Sequence, residues 1–85
     1  MKEVHFSKTF NKQFIKLPRE IQDRWREKIK LFLVDRGHPS IRLKKLKGSD
    51  IWEISITMNY RATFEIVSDY IYFRKIGTHE ILKNP

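Results

Sequence analysis

The spacing of the apolar residues changes once along this chain, near residue 40, and that change limits the folds open to it. From residue 10 to residue 33 apolar side chains recur every three or four positions, as on one face of a helix. From residue 51 to residue 76 apolar and polar side chains alternate, as in strands with one buried face. Together the two patterns predict helices covering one face of a sheet.

The first half of the sequence predicts a strand followed by two helices. The segment EVHF, residues 3–6, alternates as a short strand does, and Ser7 or Thr9 can cap a helix after it. Pro18 suits the first turn of a second helix. We therefore expect an antiparallel helical hairpin over residues 8–36. The apolar stripes of its two helices are Phe10, Phe14 and Leu17, and then Ile21, Trp25, Ile29, Phe32 and Leu33.

The second half predicts three strands, over residues 51–58, 60–67 and 70–76. Asn59 is expected to supply a positive φ at the first turn, and residues 68–69 are expected to form a tight hairpin turn. The predicted fold class is α+β in the order β-α-α-β-β-β, with the N-terminal helical hairpin packed on one face of an antiparallel sheet.

Length and composition narrow the class of protein. A length of 85 residues predicts a single domain over residues 1–85, and the absence of cysteine excludes disulfides and thiolate chemistry. No apolar run is long enough to span a membrane and no signal-peptide pattern is present, so we expect a cytoplasmic protein without membrane contact. The 18 Lys and Arg residues outweigh 10 Asp and Glu residues, and the net charge of +8 favours a polyanionic partner.

Strand alternation also places polar side chains on the sheet face opposite the helices, a surface we call the polar face. Because the chain after residue 80 is too short to cover it well, we expect this face to be open. The basic segment, residues 42–47, borders the face at one edge, and His79 borders it at another. The predicted members of the polar face are Glu53, Ser55, Arg61, Thr63, Glu65, Tyr70, Tyr72 and Arg74.

These residue types are suited to binding single-stranded RNA. The candidate phosphate-attracting cations of the basic segment are Arg42, Lys44, Lys45 and Lys47. Tyr70 and Tyr72 offer rings on which unpaired bases can stack. Arg61 and Arg74 carry planar donors that match phosphate oxygens. The sequence therefore predicts an RNA-binding surface that joins the basic segment to the polar face.

The same surface has the groups that RNA cleavage needs. Histidine is well suited to proton transfer at neutral pH, so His79 is a candidate acid or base. Alternatives stay open on spacing alone: a lone histidine is usually a surface residue, Arg61 can form a cross-strand ion pair with Glu53 or Glu65, and the tyrosines can shield the sheet. No group of His, Asp and Glu has metal-ligand spacing and no Gly-rich phosphate loop occurs, so we expect neither a metal nor a cofactor.

Three short motifs in order carry a resemblance to a known family. They are LKG at residues 46–48, YR at residues 60–61 and GTH at residues 77–79. With FSKTFNKQFIKLP near the start and YIYFRKIGTHEIL near the end, they resemble the RelE/ParE superfamily of type II toxins over nearly the whole chain. The resemblance implies a RelE-like fold and a small basic toxin that pairs with a cognate acidic antitoxin in a hetero-oligomeric complex.

The GTH ending is similar to the YafQ branch of ribosome-dependent mRNA endonucleases. The resemblance implies that His79 is catalytic and that Arg61 acts at the scissile phosphate, as an arginine does in RelE-type nucleases. It suggests Glu53 as general base, a role that a carboxylate fills in YoeB-like relatives, and it leaves Arg74 as a further catalytic candidate. The implied activity is metal-independent cleavage of mRNA in the ribosomal decoding site, which inhibits translation.

Two other functions are compatible with the same resemblance. ParE-like members inhibit DNA gyrase by protein contact and need no histidine at this position. A catalytically inactive relative would bind only its antitoxin or RNA. The presence of His79 with the two polar-face arginines favours the nuclease, and the expected partners are then the antitoxin, the ribosome and mRNA.

Overall fold

Two α-helices and five strands make up residues 3–85, the part of the chain that the computed structural model describes. The strands are β1 (Glu3–Phe6), β2 (Lys44–Lys45), β3 (Trp52–Ser55), β4 (Tyr60–Val67) and β5 (Tyr70–Thr78). The helices are α1 (Lys8–Ile15) and α2 (Arg19–Val34), and short 3-10 helices occupy Pro39–Ile41 and His79–Lys83. None of the helices within residues 3–85 is long and apolar enough to cross a membrane.

All five strands belong to one sheet, in the order β1-β5-β4-β3-β2. The predicted α+β class is confirmed, with the strand, two helices and three main strands in the expected order. The sheet is mixed rather than antiparallel, because β1 runs parallel to β5. Side chains alternate in the same way in both orientations, so the sequence pattern carried no information about this pairing. The short strand β2, which pairs with β3, lies within the basic segment and was not predicted.

Ser7 fixes the start of α1 and joins that helix to the sheet. Its hydroxyl oxygen accepts a hydrogen bond from the main-chain N–H of Phe10 at 2.9 Å, as a helix N-cap does. The same hydroxyl donates to the main-chain oxygen of Arg74 at 2.6 Å. A second link comes from Gln13, whose side-chain oxygen accepts from the N–H of Ile76 at 2.9 Å. The helix is therefore held directly on β5.

Aromatic rings fill the layer between the helices and the sheet, as the apolar stripes predict. Phe73 is fully buried at the centre, with its ring centroid 5.1 Å from that of Trp25 and 5.4 Å from that of Phe64. Phe10 and Phe32 complete the cluster, each 5.9 Å from Phe73. Burying each such side chain stabilises the fold by roughly 1.5–3 kcal/mol. This packing fixes which side of each strand faces the helices and which side forms the polar face.

The two predicted turns are built differently from each other. The β4–β5 connection at residues 68–69 is the expected tight turn, and Ser68 adopts a φ of 55°. The strand β3 ends at Ser55, three residues earlier than predicted, so residues 56–59 form a wider connection. Asn59 is not among the positive-φ residues of the described chain, and that prediction is wrong. A four-residue connection has enough length to reverse direction without a left-handed residue at position 59.

A bulge near the middle of β5 changes which side chains reach the polar face. Thr63 pairs with Lys75 while its neighbour Phe64 pairs with Phe73, so Arg74 is the extra residue. Adjacent residues of a regular strand point to opposite faces, but a bulge resets the alternation. Lys75 consequently shares the polar face with Thr63, and the next residue, Ile76, returns to the core.

Candidate active site

Residues of three neighbouring strands form two rows across the polar face. The first row consists of Glu53, Thr63 and Lys75, on β3, β4 and β5. The second row consists of Ser55, Arg61 and Gly77. Thr63 is completely buried and Glu53 is only 9% exposed, although both were expected on an open surface. Something therefore covers the centre of the polar face.

The cover is a segment that we call the C-terminal strap, residues 79–85. It begins with the 3-10 helix after β5 and lies on β4 and β5. The hydroxyl of Thr63 donates a hydrogen bond to the main-chain oxygen of Pro85 at 3.3 Å. The ammonium group of Lys75 donates to the main-chain oxygen of Asn84. The strap is thus attached to the first row of the polar face by its far end.

The near end of the strap is attached by apolar packing. Ile81 is buried, and its Cγ2 atom lies so close to β5 that a Cβ atom on Gly77 would be 3.0 Å from it. The expectation that the chain after residue 80 is too short to cover this face is wrong. Strands in a sheet are only about 4.8 Å apart, so a few residues are enough to cross two of them.

Glu53 has an unpaired oxygen in this covered region. Within residues 3–85, Glu53 Oε2 is a buried side-chain oxygen with no hydrogen-bond partner. Lys44 lies directly opposite on β2, yet no ion pair joins the two among the described residues. A buried polar atom without a partner costs the fold about 1–3 kcal/mol. Because this oxygen is also out of contact with solvent, a donor on a substrate can reach it only after its cover moves.

The two arginines of the polar face have separate partners and do not form a cluster. Arg61 donates from its guanidinium group to the main-chain oxygens of Thr57 and Tyr60, the latter at 3.0 Å. Arg74 pairs with Glu65 at 3.1 Å. The cross-strand ion pair considered for Arg61 is therefore made by Arg74 instead. Arg61 is held at the β3–β4 connection, where its charge is not neutralised by a carboxylate of the described chain.

His79 is exposed at the point where β5 ends and the strap begins. Two positions before it, Gly77 lies directly opposite Arg61. Within residues 3–85 the histidine hydrogen bonds are those of His5 and His38, so the ring of His79 is not engaged. No group of three or more His, Asp or Glu side chains that could hold a metal ion occurs in the same residues. His79 is thus accessible, and it comes two positions after the residue that pairs with Arg61.

The basic segment contains the edge strand β2, whose two lysines point to opposite faces of the sheet. All four of its predicted cations, Arg42, Lys44, Lys45 and Lys47, are exposed. Lys44 pairs with Glu53 and Lys45 pairs with Trp52. Because directly paired residues share a face, Lys44 belongs to the polar face and Lys45 to the opposite one. The segment therefore presents positive charge on both sides of the sheet edge instead of bordering the polar face as a unit.

Tyr70 and Tyr72 lie half-buried on β5, beside the edge strand β1. The rings of Tyr70 and His5 pack in an edge-to-face arrangement with their centroids 4.6 Å apart, so part of the Tyr70 ring is already in contact. Tyr72 belongs to a hollow of about 210 Å³ that sequence reasoning missed. The hollow is lined by Ser7, Thr9, Tyr72, Arg74 and Lys75. It joins the start of α1 to the β5 bulge, and local sequence patterns give no sign of such a distant contact.

Solved structures that share this fold include toxins and toxin complexes. No protein-family model matches the chain, and no curated protein matches it. The RelB-RelE antitoxin-toxin complex from Methanococcus jannaschii matches with 26% identity and a TM-score of 0.75, over 94% of this chain and 95% of that one. The E. coli DinJ-YafQ complex matches with 17% identity and a TM-score of 0.73, over 96% and 98% of the two chains.

A third similar structure is the YoeB/ParE toxin from Agrobacterium tumefaciens, with 11% identity and a TM-score of 0.75 over 91% of this chain and 98% of that one. The similarity thus covers nearly the full length in each case. It agrees with the resemblance carried by the LKG, YR and GTH motifs. The chain therefore has the fold of the RelE/ParE superfamily of toxins.

Proposed function

We propose that this chain is the toxin of a type II toxin–antitoxin system and that it cleaves mRNA on the ribosome. The observation that supports the proposal is that Glu53 and Arg61 lie on adjacent strands of the polar face, while His79 follows the end of β5. The three groups are the accessible imidazole of His79, the unneutralised guanidinium of Arg61 and the unpaired carboxylate oxygen of Glu53. The fold shared with RelE and YafQ supports the toxin assignment.

The chemistry requires a base, an acid and a positive charge. Glu53 removes the proton from a ribose 2′-OH, and that oxygen attacks the adjacent phosphorus. Arg61 stabilises the negative charge that develops on the phosphate oxygens. Protonated His79 gives its proton to the departing 5′-oxygen, which leaves as a hydroxyl, and the other product carries a 2′,3′-cyclic phosphate. The substrate supplies its own nucleophile, so the proposed reaction needs only these side chains.

We infer from the spacing of the strands that the three groups can act on one nucleotide once the cover over Glu53 moves. Neighbouring strands lie roughly 5 Å apart and successive residues on one face lie about 7 Å apart. Glu53 is on β3, Arg61 is one strand and one row away on β4, and His79 follows the residue pair of Arg61 on β5. A ribose and its 3′-phosphate can bridge such a span. The open surface around Lys44 then accepts the flanking phosphates.

The decisive assay adds the purified protein to ribosomes programmed with mRNA and maps the new 3′ ends. Removing a general acid typically costs 10²–10⁴-fold in rate, so we expect His79→Ala to lose about that much cleavage while still folding. His38→Ala is the matched control, because His38 is also exposed but is engaged with Ser40. Cleavage by His79→Ala at the full rate would refute the assignment. No cleavage by the unmodified chain, with gyrase supercoiling inhibited in a parallel reaction, would favour the ParE-like alternative.

An acidic antitoxin is the expected partner. The net charge of +8 and the exposed cations of the basic segment favour a protein of opposite charge that wraps this domain. As an obligate pair, the complex should bury more than about 2,000 Å². Co-expression of the neighbouring small acidic reading frame should restore the growth of cells that express this chain. A chain that is harmless on its own and binds no such product would contradict the toxin assignment.

A further inference from the structure

Lys28 lies in a small hollow between α2 and the connection from β3 to β4. The hollow has a volume of about 140 Å³. Its lining consists of Arg24, Glu27, Lys28 and Leu31 from α2 and of Ile56 from the connection. A space of this size holds several water molecules, so it has room for a small organic group.

The amino group of Lys28 has a defined position in the fold. Its Nζ atom donates a hydrogen bond to the main-chain oxygen of Ser40 at 3.1 Å, which joins α2 to the 3-10 helix at Pro39–Ile41. The side chain is partly buried, and it forms no ion pair with a carboxylate of residues 3–85. Because the bond to Ser40 uses only an N–H, a neutral amine in this position keeps its lone pair free.

The surroundings of Lys28 favour the neutral form of its amine. Burial lowers the pKa of Lys28 and the positive charge of Arg24 lowers it further, whereas the carboxylate of Glu27 acts in the opposite direction. Lysines become nucleophilic near neutral pH when an apolar environment or a neighbouring cation disfavours their charged form. Lys28 therefore holds more of its amine in the reactive form than a fully solvated lysine does.

The other residues of the hollow provide the groups that acyl transfer needs. Arg24 precedes Lys28 by four residues, so the two side chains lie on the same face of α2. The Arg24 guanidinium has no ion-pair partner within residues 3–85, and its planar donors match phosphate oxygens. The carboxylate of Glu27 can accept a proton. Leu31 and Ile56 supply an apolar wall that suits a methyl group.

We propose that Lys28 is acylated by a small acyl phosphate that binds in this hollow, with its phosphate on Arg24 and its acyl group against the apolar wall. The Nζ atom attacks the carbonyl carbon and forms an amide bond, while the bond from that carbon to the phosphate oxygen breaks. Phosphate leaves with the electron pair of that bond, and Glu27 takes the proton that the nitrogen loses. No residue of the polar face takes part, so the proposal is independent of the proposed RNA cleavage.

The test treats the folded protein with acetyl phosphate at neutral pH and follows each lysine by tandem mass spectrometry. We expect Lys28 to be acetylated at least about tenfold faster than Lys30, an exposed lysine of the same helix, because one charge-assisted hydrogen bond to the phosphate is worth about that factor. Acetic anhydride, which carries no phosphate, is the second reagent. Arg24→Gln should slow the reaction of Lys28 with acetyl phosphate at least about tenfold, and its reaction with the anhydride less than about threefold.

Arg26→Gln is the matched control, because Arg26 lies on the same helix but is paired with Asp23 at 2.9 Å. This variant should leave the rate at Lys28 unchanged. A rate at Lys28 within about threefold of that at Lys30 would overturn the proposal. So would an Arg24→Gln variant, folded by circular dichroism, that slows both reagents equally or neither. The ribosome assay uses protein that has not been acylated, so absence of cleavage there refutes the proposed reaction on RNA and leaves the result for Lys28 unaffected.

Discussion

Glu53 permits a test that separates a functional carboxylate from a structural one. Its Oε2 atom is buried without a partner in the described chain, which costs about 1–3 kcal/mol. Glu53→Gln keeps the shape and removes the charge. Because one polar atom stays buried, we expect the gain in the free energy of unfolding to be near the lower end, about 1 kcal/mol. For a domain of this length that raises the Tm by roughly 4–8 °C in a thermal denaturation followed by circular dichroism. In the ribosome assay the same variant should lose about 10²–10⁴-fold in cleavage rate, because it cannot act as a base.

Glu65 supplies the matched control for this prediction. It lies on the same face, but its carboxylate is paired with Arg74 at 3.1 Å. Glu65→Gln removes one partner of a partly exposed ion pair, so the Tm should fall slightly, by the equivalent of up to about 1 kcal/mol. The two substitutions are chemically identical and should move the Tm in opposite directions. A lower Tm for Glu53→Gln would refute the reasoning, because it would mean that the carboxylate stabilises the fold.

Two further outcomes are expected. Replacing the three lysines of the basic segment by alanine should weaken binding to single-stranded RNA and flatten its dependence on salt, by a log–log slope of roughly 0.7 for each phosphate that the variant no longer neutralises. An unchanged slope would mean that the segment does not bind RNA. Ser7→Ala should lower the free energy of unfolding in urea by about 2 kcal/mol, because it removes the cap of α1 and leaves the main-chain oxygen of Arg74 without its hydroxyl donor. Thr9→Ala, which changes an exposed hydroxyl in the same helix, should change it by less than about 0.5 kcal/mol, and equal losses in the two variants would contradict the role of Ser7.

The core and the strand boundaries of β4 were predictable because they follow from burial alone. The two helical stripes, which contain Phe10 and Trp25, and the alternation around Phe64 together leave one arrangement in which the apolar side chains meet. The bulge in β5 could also have been predicted from the sequence. Arg74 and Lys75 are two adjacent polar residues between apolar neighbours in a strand, which breaks the alternation and indicates an extra residue.

The strap could not be predicted in this way. Two of its anchors, at residues 84 and 85, are main-chain oxygens, which every residue possesses, so the bonds from Thr63 and Lys75 leave no mark on the side-chain pattern. The unpaired state of Glu53 could not be predicted either, because it depends on the absence of a hydrogen-bond donor near its carboxylate in the folded chain. The catalytic roles predicted for residues of the polar face remain a prediction, whereas the covering of these residues and their individual partners could be seen only in the folded chain.

The parallel pairing of β1 with β5 has a consequence for the order in which the molecule forms during synthesis. The hydroxyl of Ser7 bonds to Arg74, 67 positions later in the chain, and within residues 3–85 β1 has no other strand beside it. Helices α1 and α2 depend on nearby residues and can begin to form early, whereas contacts between distant residues form slowly. β1 must therefore wait for β5 to be synthesised before it is paired. Until β5 has emerged, the growing chain has neither a complete sheet nor a polar face, so no site on that face exists before residue 78 has been made.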